Sequence, residues 1–213
     1  MCGIAGILSQ KNIAFSHLKK MTDALAHRGP NGEGHWANEY HTVLLGHRRL
    51  SIIDLSDKGS QPMHCLGRYT IIHNGEIYNF REIRKELEVN YGHVFKTSSD
   101  TEVLFYGLIY EGKRIIAKLN GMFALVFDDS EKGEQIMARD YFGIKPLFYY
   151  TSETKLVASS EIAPIHYLVS ATRCFRKDVQ AEALSCGYIS GKNTLYEGIY
   201  KLEPGTIMTF KHG

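Results

Sequence analysis

The chain has 213 residues, 44% of them hydrophobic and 23% charged, which suits one globular domain with a substantial core and excludes a disordered or fibrous chain. Its formal net charge of +2 gives no attraction to nucleic acid or to an anionic membrane surface. The longest apolar run, Met122 to Phe127, is far shorter than the ~20 residues of a membrane-spanning helix, so a soluble, non-membrane protein is expected.

The chain opens Met1-Cys2-Gly3-Ile4-Ala5-Gly6-Ile7. No basic stretch precedes this short apolar run, so it does not read as a secretory signal. With Met1 removed, Cys2 would carry a thiol and a free α-amine on one residue. A terminal amine with a pKa of roughly 7.7–8.0 can take the thiol proton near neutrality, so one residue supplies both nucleophile and base. Cysteine is also a common small buried hydrophobe, and this feature alone does not choose between the readings. Ile4–Leu8 reads as a strand buried on both faces, and Leu18, Met21 and Leu25 mark a helix. The glycine-rich stretch Arg28 to Gly34 lacks the spacing of a phosphate-cradling loop.

Thr42–Leu45 reads as a second buried strand and runs into Gly46-His47-Arg48-Arg49-Leu50-Ser51-Ile52-Ile53-Asp54. Two arginines at a strand end form surface ion pairs in the plainer reading, or a guanidinium fork for a substrate carboxylate in the functional one. After a strand at Tyr69–Ile72 comes His73-Asn74-Gly75-Glu76-Ile77-Tyr78-Asn79. Asn-Gly is a strong turn signal, and in isolation a turn is the preferred reading. The chemical alternative is an oxyanion hole made by the Asn74 carboxamide and the Gly75 N–H.

Asn79-Phe80-Arg81-Glu82 has capping-box spacing, loosely extended to Asn, ahead of a stripe at Phe80, Ile83 and Leu87. Ser99-Asp100-Thr101-Glu102 repeats it ahead of Val103, Leu104 and Leu108. Asp100 there complements a helix dipole, and the same carboxylate could bind a substrate ammonium group. Met122–Phe127 and Leu156–Ala158 read as strands. Between them, Ala138 to Tyr149 reads as a buried Arg139–Asp140 pair with core aromatics, and Glu203 to Gly213 as turn, strand and turn. Strands and helices mix without a regular βαβ repeat, which predicts an α+β layered sandwich.

The four cysteines are scattered without a C-x-x-C pair, and the ten histidines form no H-E-x-x-H. No metal site is expected, and a reducing cytoplasm suits the cysteine usage. Cys65, Cys174 and Cys186 read as packing residues. The tyrosines and phenylalanines could form a homodimer interface or simply fill two sheets.

In combination, Met1-Cys2-Gly3-Ile4, His27-Arg28-Gly29-Pro30, His47-Arg48-Arg49-Leu50-Ser51-Ile52, Asn74-Gly75-Glu76-Ile77-Tyr78-Asn79, Ser99-Asp100 and Arg139-Asp140…Gly143-Ile144-Lys145-Pro146-Leu147 follow the order of class II glutamine amidotransferase domains. The chain resembles the glutaminase domain of the glutamine-hydrolysing asparagine synthetase family, densely over about residues 1–165 and more thinly through Gly187-Tyr188-Ile189 and Lys201-Leu202-Glu203-Pro204-Gly205. Sister branches that amidate phosphoribosyl or hexose phosphates carry different residues at the His-Arg-Gly-Pro and Asn-Gly-Glu-Ile-Tyr-Asn segments.

The resemblance implies a four-layer αββα sandwich of the N-terminal-nucleophile hydrolase type and hydrolysis of L-glutamine. It implies that Cys2 attacks the side-chain amide, that Asn74 and Gly75 hold the oxyanion, that Arg49 grips the α-carboxylate and that Asp100 holds the α-ammonium. Leu50, Ser51, Ile52, Ile53 and Glu76 are then expected to line the pocket, and the His27–Pro30 loop to close over it. No cofactor is expected in this domain. The family's ATP- and Mg-dependent synthetase domain carries a Ser-Gly-Gly-x-Asp-Ser loop that does not occur here. Residues 1–213 are therefore expected to be the N-terminal glutaminase part of a longer protein whose synthetase domain makes asparagine. The alternatives are amidation of another carboxylate, such as a sugar acid, and a non-catalytic glutamine-sensing module.

Overall fold

The structure, a computed structural model, describes residues 1–50, 59–169 and 174–211. Its strands are β1 (Gly3–Ser9), β2 (Gly32–Ala37), β3 (Val43–Arg49), β4 (Met63–Cys65), β5 (Tyr69–Ile77), β6 (Gly121–Asp129), β7 (Glu134–Arg139), β8 (Phe148–Thr151), β9 (Lys155–Ser159), β10 (Ile199–Lys201) and β11 (Ile207–Lys211). The helices are α1 (Phe15–Ala24), α2 (Phe80–Tyr91), α3 (Asp100–Glu111), α4 (Ile162–His166) and α5 (Gln180–Cys186). Strands pair antiparallel in two sheets, ordered β10-β8-β9-β1-β3-β2 and β11-β7-β6-β5-β4.

Three apolar layers define the stacking. Ala5, Ile7 and Leu44 of the first sheet pack with Leu18 and Met21 of α1 and Ile165 of α4. Ile4, Leu8, Val43 and Leu45 meet Ile72, Ala124 and Val126 of the second sheet. The far face of that sheet, through Ile71, Phe123 and Leu125, packs with Ile83 and Leu87 of α2 and Val103 and Leu104 of α3. Successive strand side chains alternate between faces, so the continuous apolar runs supply two layers at once. The result is the four-layer αββα sandwich. Among the described residues no helix is long and apolar enough to cross a membrane.

Local readings are corrected in four places. Asn74-Gly75 is not a turn: all nine residues of β5 pair with β6, from Tyr69↔Asp129 to Ile77↔Gly121, and this ladder overrides the dipeptide's turn preference. Asn79 precedes α2 without capping it by side chain; its carboxamide instead donates to Lys118 O and accepts from Asn120 N, both at 2.9 Å. Ser99 does cap α3, accepting from Glu102 N at 3.2 Å.

Arg139 and Asp140 do not hydrogen-bond each other. The guanidinium donates to the carbonyls of Lys145, Leu202 and Gly143, and the carboxylate accepts from the N–H groups of Phe123, Phe142, Ile144 and Lys145. The adjacent Tyr141 and Phe142 are 79% and 77% exposed rather than core. Cys174 and Cys186 are likewise exposed, and Cys65 is half-buried.

Candidate active site

Side-chain alternation brings the site together. On β1, Ile4 and Leu8 point into the gap between the sheets, and Cys2, two residues before Ile4, has the same parity. On β3, Val43 and Leu45 fill the gap, and His47 and Arg49 follow in step. On β5, Ile72 is followed by Asn74 on the same face. The register Gly3↔Arg48 sets Cys2 across from Arg49. At this end of the gap lies a cavity of about 110 Å³ lined by Cys2, Arg49, Leu50, Asn74, Gly75, Glu76 and Asp100. All seven are sequence-predicted site residues. The other three, Ser51, Ile52 and Ile53, lie outside the described residues.

The Cys2 sulfur accepts from the Leu50 N–H at 3.4 Å. Arg28 fixes the segment behind it, donating from Nε to Cys2 O at 3.0 Å and from a terminal nitrogen to Glu161 at 2.9 Å. Burial raises the Glu161 carboxyl, but hydrogen bonds from Arg28 and His27 outweigh it and hold the group below the ordinary range. Gly29 is required here because a Cβ would lie 2.3 Å from the Arg48 carbonyl carbon. The His27–Pro30 loop thus braces the chain start and does not line the cavity in this conformation.

The edge of β5 beyond β4 faces the cavity. Peptide groups of an edge strand point alternately toward and away from its paired neighbour. His73 N–H points to the open side, where it donates to Gln61 Oε1 at 2.6 Å. Ile77 N–H does the same, to Asp100 Oδ2 at 2.9 Å. Gly75, midway between them, turns its N–H to the same open edge. A Cβ on Gly75 would sit 2.1 Å from Met122 O, so only glycine fits. Next to it, the Asn74 Nδ2 is buried and has no hydrogen-bond partner among the described residues.

His47, His73, Gln61, Thr101, Met122 and Lys145 also line the cavity, and sequence reasoning gave them no role. His47 is 1% exposed, its ring enclosed beside the His73 main chain. Burial above all, then the His73 ring and last Arg49, push its pKa down to about 3 against the upward pull of a hydrogen bond with the His73 main chain, so the ring is neutral. Burial also lowers His73, against an upward pull from Asp100 and with Lys145 adding to the decrease; its Nδ1 lies 3.0 Å from Thr101 Oγ1. The alternation His47, Arg49 on one strand was a legible signal for His47. Lys145 arrives from a loop, and no periodicity announces it. Among the described residues no cluster of three or more His, Cys, Asp or Glu could hold a metal ion.

The profile of the glutamine amidotransferase domain matches residues 1–213. Asparagine synthetase [glutamine-hydrolyzing] 3 of Bacillus subtilis is 35% identical, aligned over 99% of this chain and 35% of that protein. Putative asparagine synthetase [glutamine-hydrolyzing] 2 of Methanocaldococcus jannaschii is 33% identical, over 95% of this chain and 42% of that protein. The chain thus spans well under half the length of these curated relatives. The solved structure of glutamine phosphoribosylpyrophosphate amidotransferase from B. subtilis superposes with a TM-score of 0.73 at 21% identity, covering 99% of this chain and 47% of that one. That likeness shows the shared N-terminal-nucleophile fold. From the profile match over its whole length, and with relatives more than 30% identical, the chain belongs to the glutamine amidotransferase family.

Proposed function

We propose that this domain hydrolyses L-glutamine to glutamate and ammonia through a γ-glutamyl thioester on Cys2, and that the ammonia serves an ATP-dependent synthetase domain making asparagine from aspartate. The observation that carries the reading is the unpartnered Asn74 Nδ2, buried in a cavity that a cysteine thiol also lines. A buried donor without an acceptor costs about 1–3 kcal/mol, and an oxygen that gains charge during acyl transfer is the acceptor such a donor suits.

In this mechanism removal of Met1 frees the Cys2 amine, which takes the thiol proton as sulfur attacks the glutamine amide carbon. Charge moves to the carbonyl oxygen, held by Asn74 Nδ2 and Gly75 N–H. As the carbon–nitrogen bond breaks, the Cys2 ammonium returns its proton to the leaving nitrogen, which departs as ammonia. Water then attacks the thioester, the amine again taking the proton; the carbon–sulfur bond breaks, the ammonium returns the proton to the departing thiolate, and glutamate is released. Arg49 pairs with the α-carboxylate in the bidentate manner of guanidinium groups. Asp100 uses one oxygen to fix Ile77 and offers the other to the α-ammonium, while Leu50 and Glu76 complete the wall. Burial keeps His47 neutral, so it adds no second cation to compete with Arg49.

The four cysteines are all free thiols, in keeping with a reducing cytoplasm as the proposed setting. Glutamine turnover and mass spectrometry after treatment with a glutamine-mimicking electrophile test the proposal. Expected are glutaminase activity, modification of a chain start lacking Met1, and loss of activity in Cys2→Ala. Substantial turnover by Cys2→Ala would overturn it.

A further inference from the structure

We infer that Gln61 is a positioning residue for the proposed reaction: its side-chain amide forms the last rung of the β4–β5 ladder and thereby aims the Gly75 N–H at the oxyanion. The inference rests on the glutaminase reading and adds to it a residue that does not touch the reacting atoms.

The ladder pairs Cys65↔Tyr69, His64↔Thr70 and Met63↔Ile71. Continued by two residues, that register sets Gln61 opposite His73, and by two more, Gly59 opposite Gly75. Backbone pairing stops at Met63, and Pro62 has no N–H to contribute. At position 61 the side chain takes over. Gln61 Oε1 accepts from His73 N at 2.6 Å, and Gln61 Nε2 donates to His73 O at 3.1 Å. A carboxamide has the donor and acceptor of a peptide group, so it stands in for the strand that has turned away.

The base of this side chain is itself fixed. A Cβ on Gly34 would lie 2.0 Å from Gln61 O, so β2 packs directly on the main chain at residue 61. Gln61 is 8% exposed, and His73 and Asn74 are 2% and 1% exposed, so no solvent is at hand to replace the two bonds. Gln61 holds the strand one residue before Asn74, and Asp100 holds it at Ile77. Between those two anchors, Asn74 and Gly75 have a defined orientation before substrate arrives. Preorganised donors of this kind act mainly on the transition state.

Two variants test this in the full protein. Gln61→Met keeps the length and deletes both bonds. It is expected to lower kcat by about 10- to 100-fold, with KM changed by less than about threefold. Affinity for glutamate γ-semialdehyde, which adds to the thiol to give a tetrahedral oxygen, should fall in step with kcat/KM while affinity for L-glutamate holds. Gln61→Glu keeps the acceptor for His73 N–H and loses the donor for His73 O. Protonation restores that donor, so the ratio of variant to wild-type turnover should rise as pH falls from neutrality toward about 5.

If Gln61→Met does not fold, the pH ratio of Gln61→Glu decides. Wild-type turnover in both variants, a flat pH ratio, or kcat, KM and glutamate affinity failing together would overturn the inference and leave the glutaminase reading intact. A wild-type protein that does not hydrolyse glutamine would overturn that reading, and this inference with it.

Discussion

In the proposed reaction Asn74 sets function against stability. Its Nδ2 is buried without a partner among the described residues, a state that proteins tolerate where a ligand completes the bonding. Asn74→Ala removes the donor together with the group that was costly to bury. The expected result is a kcat lowered by about 10²–10³ with KM close to wild type, and a melting temperature unchanged or raised. Steady-state kinetics and thermal unfolding on the same preparation check both halves. At this scale the sequence was informative where motifs occur together: Cys2, Arg49 and Asn74 were nominated from them, and all three line the same cavity. Gln61 and Lys145 were not legible, since each reaches the cavity from an irregular segment whose path no local period encodes.

Elements carry a different kind of information, visible where β6 and β7 pair. Asp128 lies opposite Gln135 and accepts from its Nε2 at 2.8 Å. Asp128 Oδ2 and Gln135 Oε1 are both buried without partners among the described residues, so the pair is short of one donor. Burial chiefly, eased by the Gln135 bond and worsened by Asp129, pushes the Asp128 pKa up to about 6. The folded chain therefore keeps a proton that the unfolded chain releases, a stabilising difference present below the unfolded value and lost as pH rises through about 6. Asp128→Asn supplies the missing donor at every pH. It should stabilise the protein by about 1–3 kcal/mol at pH near 8, with the gain shrinking as pH falls toward about 4. Denaturant unfolding at the two pH values measures this. The strands at Ile4, Thr42, Tyr69, Met122 and Leu156 were readable as elements because their apolar runs serve two layers. The Asn74-Gly75 turn reading failed because nine residues of cross-strand pairing outweigh one dipeptide's preference. The Arg139–Asp140 pairing failed because nearby peptide groups without partners in a ladder are better matches for those charges than they are for each other.

For the whole molecule, the buried histidines oppose that carboxyl. His47 stays neutral in the fold down to about pH 3, whereas an unfolded histidine takes up a proton near its ordinary 6.5. The contribution is complete above that value and is lost as pH falls toward the folded one. His47→Leu should therefore flatten the acid decline of unfolding free energy by about 1.4 kcal/mol per pH unit below roughly 6.5. Denaturant titrations at a series of pH values between about 4 and 8 read that slope. The layered class was legible because each inner strand must hide both faces. The order of strands within each sheet was not, because it is decided by pairings between residues far apart in the chain.

One such pairing governs how the molecule is made. β1 lies in the middle of its sheet, bonded to β3 on one side and to β9 on the other. The second partner, Lys155–Ser159, leaves the ribosome on the order of ten seconds after β1. Throughout that interval β1 is paired on one flank only. Its open edge offers unpaired N–H and C=O groups to any wrong strand until β9 arrives and closes the sheet there.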